Sequence, residues 1–371
     1  MRRLALLGAV VVALAAVAAF AWSTKPSPSR SGATAGQVTA VTSVTRSCPP
    51  AAPGAGTTRI SMIAVPPRTA SAKGSTAVST GSATLSAVPA VDASPAAAPA
   101  KKTPANKTPA KTASVTKSAV AAPVTVSEPG TATTVTAPAA GITAGTALAA
   151  TGQMAEGFEA EQATSAGMGL VSCSHPSSDM WFVGSGAPDV RLYLMNTGDL
   201  AASVNVDILT DTGQQNGLAD AITVAPDQII EEDISSYVRG AQAVGMEVQT
   251  SSGQVAASVW ESNGKGAGAW VPQSAEPSTT LVIPGLTAAS SAARLFVTVP
   301  GQTDARVKVV AYTPAGAFQQ FATVPVQASA GATTPVTLSS LGASPTGLVL
   351  TSNVPIVAGV LVAGTDRKSV V

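Results

Sequence analysis

The single histidine of this 371-residue chain, His175, stands two residues beyond Cys173, the one place where a thiol and an imidazole are neighbours. An imidazole-activated thiolate is a nucleophile, but both side chains must converge on one substrate atom. At this spacing, with Pro176 next, His175 reads as a loop residue. Serine chemistry fares no better. Gly184-Ser185-Gly186 lacks the G-x-S-x-G spacing of a nucleophile elbow. Ser114-Val-Thr-Lys117 fits S-x-x-K in form, yet nothing apolar surrounds it to desolvate the lysine. Gly264-Lys-Gly-Ala-Gly268 resembles a phosphate loop in composition alone. A true phosphate loop lies between a strand and a helix whose N-terminus faces the anion. Here β-like sequence flanks it on both sides, which predicts a hairpin loop.

Carboxylates and aromatic rings are the remaining candidates. Glu231-Glu232-Asp233 carries oxygens that suit calcium, but no spaced partner carboxylates accompany it, so a solvated strand end is expected. Trp181, Trp260 and Trp270 could act as a ligand platform, since exposed rings on one face stack on pyranose sugars. Alternatively they fill boundaries between modules whose Ala/Val cores are thin. Trp270-Val-Pro272 falls where one repeated unit hands over to the next, which favours packing. The only cysteines, Cys48 and Cys173, are expected to pair, because the N-terminus described below directs the chain to where disulfides persist. The bridge would close a loop of about 125 residues, worth about 4 to 5 kcal/mol by loop entropy. Zinc needs four ligands, and two sulfurs with one imidazole fall short. No metal, cofactor or catalytic residue is expected.

The elements that position these residues follow from composition and pattern. Hydrophobic residues make up 45% of the chain, with 4% aromatic and 11% charged, so Ala and Val supply much of the apolar count and sheets suit it better than helical bundles. A formal charge of +1 gives no field to gather nucleic acid. Arg2-Arg3 precede an apolar run from Leu4 to Trp22, the pattern of an export signal. The run is just long enough to span a bilayer once, and the positive flank holds the N-terminus in the cytoplasm. A retained anchor (residues 1–23) is the favoured expectation. Cleavage after Ala21, at Ala19-Phe20-Ala21, is the alternative and would release the protein.

Residues 24–91 read as a stalk followed by the first strands of a β region. Residues 92–118, with KTPA at Lys102–Ala105 and Lys107–Ala110, present no apolar face and read as a disordered linker. The glycosylation-like triplet Asn106-Lys107-Thr108 within it reads as a chance match. The β region resumes over 119–180, with a hairpin expected around Pro129-Gly130 between Val124–Val126 and Thr133–Thr136.

The second half contains a repeat. RLYL from Arg191 answers RLFV from Arg294, Val204-Asn-Val206 answers Val307-Lys-Val309, and TDTG ending at Gly213 answers TPAG ending at Gly316, each pair 103 residues apart. Asp233–Ser236 then answers Thr337–Ser340, and Val255–Val259 answers Ile356–Val360, with a small drift. A period this long points to duplicated domains, since solenoid repeats are shorter. Inside each copy apolar residues alternate with polar ones, as at Val204, Val206 and Ile208, with turn signals between runs. The expectation is two tandem immunoglobulin-like antiparallel β-sandwich domains, residues 181–285 and 286–371, stabilised by apolar burial.

Several segments in order carry a family resemblance: GFEAEQAT from Gly157 to Thr164, Cys173 shortly before WFVG at Trp181–Gly184, RLYLMNTGD, the WVP of Trp270–Pro272, and Ile283-Pro284-Gly285. With the N-terminal anchor, these resemble an actinobacterial family known as domain of unknown function 5719, over roughly residues 120 to 371. The resemblance implies an extracytoplasmic β protein and carries no activity or site to transfer. The long Lys/Pro/Ala segment departs from it. The combined expectation is a non-enzymatic envelope protein, tethered by its N-terminal helix, that acts as an interaction partner or scaffold for another protein. A module for cell-wall carbohydrate is the alternative.

Overall fold

Strands form wherever apolar and polar side chains alternate, because one face of each then leaves water. The computed structural model describes residues 41–51, 58–65, 81–88, 124–126, 128–137, 144–164, 169–215, 218, 221–264, 268–286, 292–314, 316–319, 325–338, 346–364 and 367–370. Within them the regular elements are strands, apart from one 3-10 turn at Gly152–Met154. No helix of the described residues is long and apolar enough to cross a membrane. The expected anchor, the 92–118 linker, Asn106 and the Ser114–Lys117 motif lie outside the described residues.

The N-terminal group contains β1 (Ser43–Cys48), β2 (Thr58–Ala64), β3 (Ala83–Val88), β4 (Val124–Val126), β5 (Thr133–Ala137), β6 (Gly145–Thr151), β7 (Phe158–Thr164) and β8 (Leu170–Ser172). They form two antiparallel sheets in the orders β1-β6-β3-β4 and β5-β2-β7-β8. Ile60, Met62, Phe158 and Ala160 of one sheet pack with Ala83, Leu148 and Ala150 of the other. The hairpin expected around Pro129-Gly130 does not form. β4 pairs with β3 and β5 with β2, and the Gly130 amide binds the Ala64 carbonyl as the chain crosses between sheets.

The middle group contains β9 (Asp179–Ser185), β10 (Asp189–Asn196), β11 (Ala202–Thr210), β12 (Gly213–Gln215), β13 (Ile222–Val224), β14 (Gln228–Asp233), β15 (Ala243–Ser252), β16 (Ala256–Ser262), β17 (Gly268–Val271) and β18 (Gln273–Ser274). One sheet runs β14-β10-β16-β17, the other β12-β11-β15-β9-β18 with β13 also on β11. Their inner faces meet through Leu192, Leu194, Ala257 and Val259 on one side and Phe182, Val204, Val206, Met246 and Val248 on the other.

The last group contains β19 (Ser278–Leu286), β20 (Ala292–Val299), β21 (Ala305–Thr313), β22 (Gly316–Gln319), β23 (Val326–Ala328), β24 (Ala332–Leu338), β25 (Thr346–Gly364) and β26 (Arg367–Val370). Here the pairing scheme of the middle group recurs. β10–β14 and β10–β16 correspond to β20–β24 and β20–β25; β11 with β12, β13 and β15 corresponds to β21 with β22, β23 and β25; β9–β15 and β16–β17 correspond to β19–β25 and β25–β26. One strand, β25, does the work of two. Its first half pairs with β21 and its second with β20, whereas β15 and β16 are separated at Gly253, whose φ of 69° suits glycine.

β19, which runs up to the expected break at 285, is hydrogen-bonded to β25 of the last group.

Candidate functional site

Both sheets of the middle group bury part of their outer faces as well as their inner ones. On β10, Leu192 and Leu194 point inward, so Tyr193 and Met195 must point out. They join Ile229, Trp260 and Trp270 against Val88 and Val171 of the N-terminal group. Trp270 packs edge-on to Trp260 at 5.2 Å between centroids and lies tilted against Tyr193 at 5.5 Å. On β9 the alternation sends Met180 and Phe182 inward and Trp181 and Val183 outward. The outward pair meets Phe296, Val357 and Leu361 of the last group. Glycines let this second seam close. A Cβ on Gly245 would lie 2.3 Å from Thr298 Oγ1, and one on Gly359 would lie 2.5 Å from the Val183 carbonyl oxygen. The Arg294 guanidinium lies 5.3 Å from the Phe296 ring centroid.

The three tryptophans therefore do not form a platform. Trp181, Trp260 and Trp270 are 2%, 4% and 3% exposed, and a sugar cannot stack on a ring whose faces are covered. They sit at two different seams on opposite outer faces of the middle group. The carbohydrate-module expectation loses its basis here. The expected Cys48–Cys173 disulfide is formed, with S–S 1.97 Å, and both half-cystines are buried. Oxidised sulfur has no thiolate to offer, so Cys173 and His175 are no nucleophile and base.

Where the seam between the N-terminal and middle groups reaches the surface it opens into a cleft of about 380 Å³. One wall is β8 with Ser174 and His175; the facing wall is Ser258 and the run Trp270–Gln273. At its mouth Arg46 Nη2 binds Glu159 Oε1 at 2.8 Å, while Arg46 Nε donates to the Phe158 carbonyl at 3.1 Å. Ser174 is held from both sides: its hydroxyl donates to the Ala257 carbonyl at 3.1 Å, and its own carbonyl accepts the Ser47 amide at 2.7 Å. A second cleft of about 160 Å³ lies beyond Pro272-Gln273, lined by Val183, Ser274, Leu281, Val282, Ile283 and Gly359 among others. Pro272 and Gln273 line both. The first cleft offers apolar walls, an ion pair and several hydrogen-bonding groups, which equips it for recognition.

Carboxylates collect elsewhere. Asp207 and Glu247 are direct cross-strand neighbours, and Glu247 also faces Trp181. Burial, then Asp179 and Asp207, push the Glu247 carboxyl up to about 7. Asp179 is raised as well, by burial and by Glu276. The Glu231–Asp233 run is engaged locally: Glu231 pairs with Arg191, which also binds Asp189 at 3.2 Å, and Asp233 accepts from the Ser235 hydroxyl and amide. Those Ser235 bonds lower the Asp233 pKa, while burial raises that of Glu232. Tyr193, behind them, is raised by burial and by Glu231.

Arg46, Glu159, Leu170, Ser174 and Gln273 are cleft residues that sequence reasoning missed. No spacing marks them, since Arg46 and Glu159 are separated by 113 residues and meet only once β1 and β7 are folded.

Compared with known proteins, residues 124–369 match a family of unknown function (DUF5719), from β4 through most of β26. No curated protein and no solved structure matches the chain.

Proposed function

This chain belongs to the family of unknown function DUF5719, and on that premise we propose that it is a non-enzymatic envelope protein, held outside the cytoplasm by its N-terminal segment, that binds and positions another protein. The observation that carries this reading is the pair of buried seams that flank the middle group. Interfaces between domains of one chain are more often small and polar, which leaves the domains free to move. Here aromatic and aliphatic side chains from three strand groups interlock at two seams, which suits a scaffold that holds a surface in fixed geometry. The middle and last groups are read as tandem immunoglobulin-like sandwiches, a reading supported by their shared pairing scheme. Export is supported by Arg2-Arg3 with the Leu4–Trp22 run and by a disulfide of the kind that persists outside the cytoplasm.

Crosslinking in intact cells, followed by mass spectrometry, tests the reading. The expected product is a crosslink to an exported protein. Crosslinks confined to cytoplasmic proteins would overturn the location, and turnover of an envelope substrate by the purified chain would overturn the non-enzymatic role.

A further inference from the structure

Among the described residues, four strands on the flank that carries the two clefts have a hydrogen-bonding strand partner on one side only. β8 pairs with β7, β17 with β16, β18 with β9 and β19 with β25. An edge strand presents a row of unpaired amides and carbonyls, and proteins normally blunt such edges with charges or proline. The edge strand β14 does so with Glu231, Glu232 and Asp233. None of the four flank strands contains a charged residue: their sequences are LVS, GAWV, QS and STTLVIPGL. Prolines stand at the junctions, Pro272 between β17 and β18 and Pro277 just before β19, and within the strands themselves Pro284 alone, near the end of β19. Leu170 and Val282 are 59% and 65% exposed, and each lines one of the clefts.

We propose that this flank takes an extended, uncharged segment of a partner protein as an added β-strand, with apolar side chains of that segment entering the two clefts on either side of Pro272-Gln273. The inference rests on the interaction reading above and names the kind of partner. The chemistry of the occupant follows from the flank itself. Free sheet edges are satisfied by another extended backbone, and side-chain pockets beside an edge then set which residues fit. The site is also continuous with an interface already in place. Val171 and Trp270 belong both to the first seam and to the first cleft, and Val183 belongs both to the second seam and to the second cleft. An added strand would extend the two buried seams outward.

The test uses the purified full chain in detergent and a displayed library of linear twelve-residue peptides. The strongest binder is synthesised with a fluorophore and its Kd measured by anisotropy. Leu170→Asp and Val282→Asp place a charge on the flank at exposed positions where folding survives, which thermal unfolding verifies. Each is expected to weaken binding at least tenfold, while Leu200→Asp, at an exposed position lining neither cleft, leaves it unchanged. N-methylation of alternate peptide amides is expected to weaken binding in one register and not the other, the signature of strand pairing. Failure to select any peptide, or selected peptides indifferent to both flank variants, overturns the proposal. So does a dimer that Leu170→Asp or Val282→Asp converts to monomer in sedimentation velocity, because the occupant is then a second copy. If crosslinks in cells reach an exported protein through another surface, the flank assignment fails and the scaffold reading stands.

Discussion

Thr333 Oγ1 donates a 2.8 Å hydrogen bond to the Leu209 carbonyl across 124 residues, joining the last strand group to the middle one inside their buried seam. Thr298 sits 2.9 Å away, so its hydroxyl can donate in turn to Thr333. Thr298 and Thr333 are fully buried, which makes the loss of a partner costly. Thr333→Val is therefore expected to destabilise the chain by about 1 to 3 kcal/mol, because the Leu209 carbonyl and the Thr298 hydroxyl both lose their mate. Adding Thr298→Val should cost less than the sum of the single changes, since the two share one network. Urea unfolding of the four proteins of the cycle measures this, and strict additivity would show that the threonines act independently.

The Cys48–Cys173 bridge ties the end of β1 to the segment just after β8, a separation of 125 residues. Cross-linking so long a loop lowers the entropy of the unfolded chain and so raises its free energy by about 4 to 5 kcal/mol. Replacing both cysteines with alanine is expected to cost an amount of that order. Because both sulfurs are buried, reductant should act slowly on the folded protein and rapidly in urea. Equal reduction rates in the two conditions would contradict the burial.

Much of the strand architecture was readable from period-two alternation, and the 103-residue offset between Arg191 and Arg294 puts them at equivalent positions on β10 and β20. Local pattern reports which face of a strand is apolar. It does not report which strand lies alongside. Val124–Val126 and Thr133–Thr136 look like a hairpin in sequence, yet pair with strands about 40 and about 75 residues upstream, because both sheets of the N-terminal group need a member there. The continuity of β25 was hidden for the same reason: where β15 and β16 are separated at Gly253, the chain runs on through Ser352-Asn353 from one sheet into the other. The clefts were illegible because they exist only between groups, where Arg46 meets Glu159 and β8 approaches β17. Trp260 is the clearest case. Every residue of β16 is buried, a pattern that no two-faced strand predicts, because the outer face is covered by a neighbouring group.

Trp270 fills the first seam, and truncating it to alanine should cost about 3 to 5 kcal/mol, the range for a large buried aromatic. Trp270→Phe should cost much less. No protein acceptor meets the indole N–H among the described residues, so phenylalanine forfeits volume and no hydrogen bond. Limited proteolysis of the alanine variant is expected to cut near Ser172–Pro176, where the seam would loosen. A Phe variant as unstable as the Ala variant would mean that the nitrogen is bonded after all.

Glu247 supplies a pH dependence whose sign is fixed by its surroundings. Its carboxyl lies beside Asp207 on β11, with Asp179 on β9 adding to the negative field, and burial of the side chain acts in the same direction. The folded protein therefore holds the Glu247 proton up to about pH 7, whereas the unfolded chain releases it near the ordinary glutamate value of 4.5. Below about 4.5 the residue is neutral in both states and its contribution is fully present. As pH rises towards and through 7 the folded state must accept a third negative charge in one patch, and that contribution is lost. The residue is only partly buried, so solvent screening keeps the effect to about 1 kcal/mol. Glu247→Gln removes the titrating proton while keeping the shape. Urea unfolding of both proteins from pH 4.5 to 9 should give matching stabilities at the acidic end and a variant that gains on the parent through neutrality. Parallel curves over that interval would mean that Glu247 titrates alike in the folded and unfolded chain, and the negative patch would then have no energetic consequence.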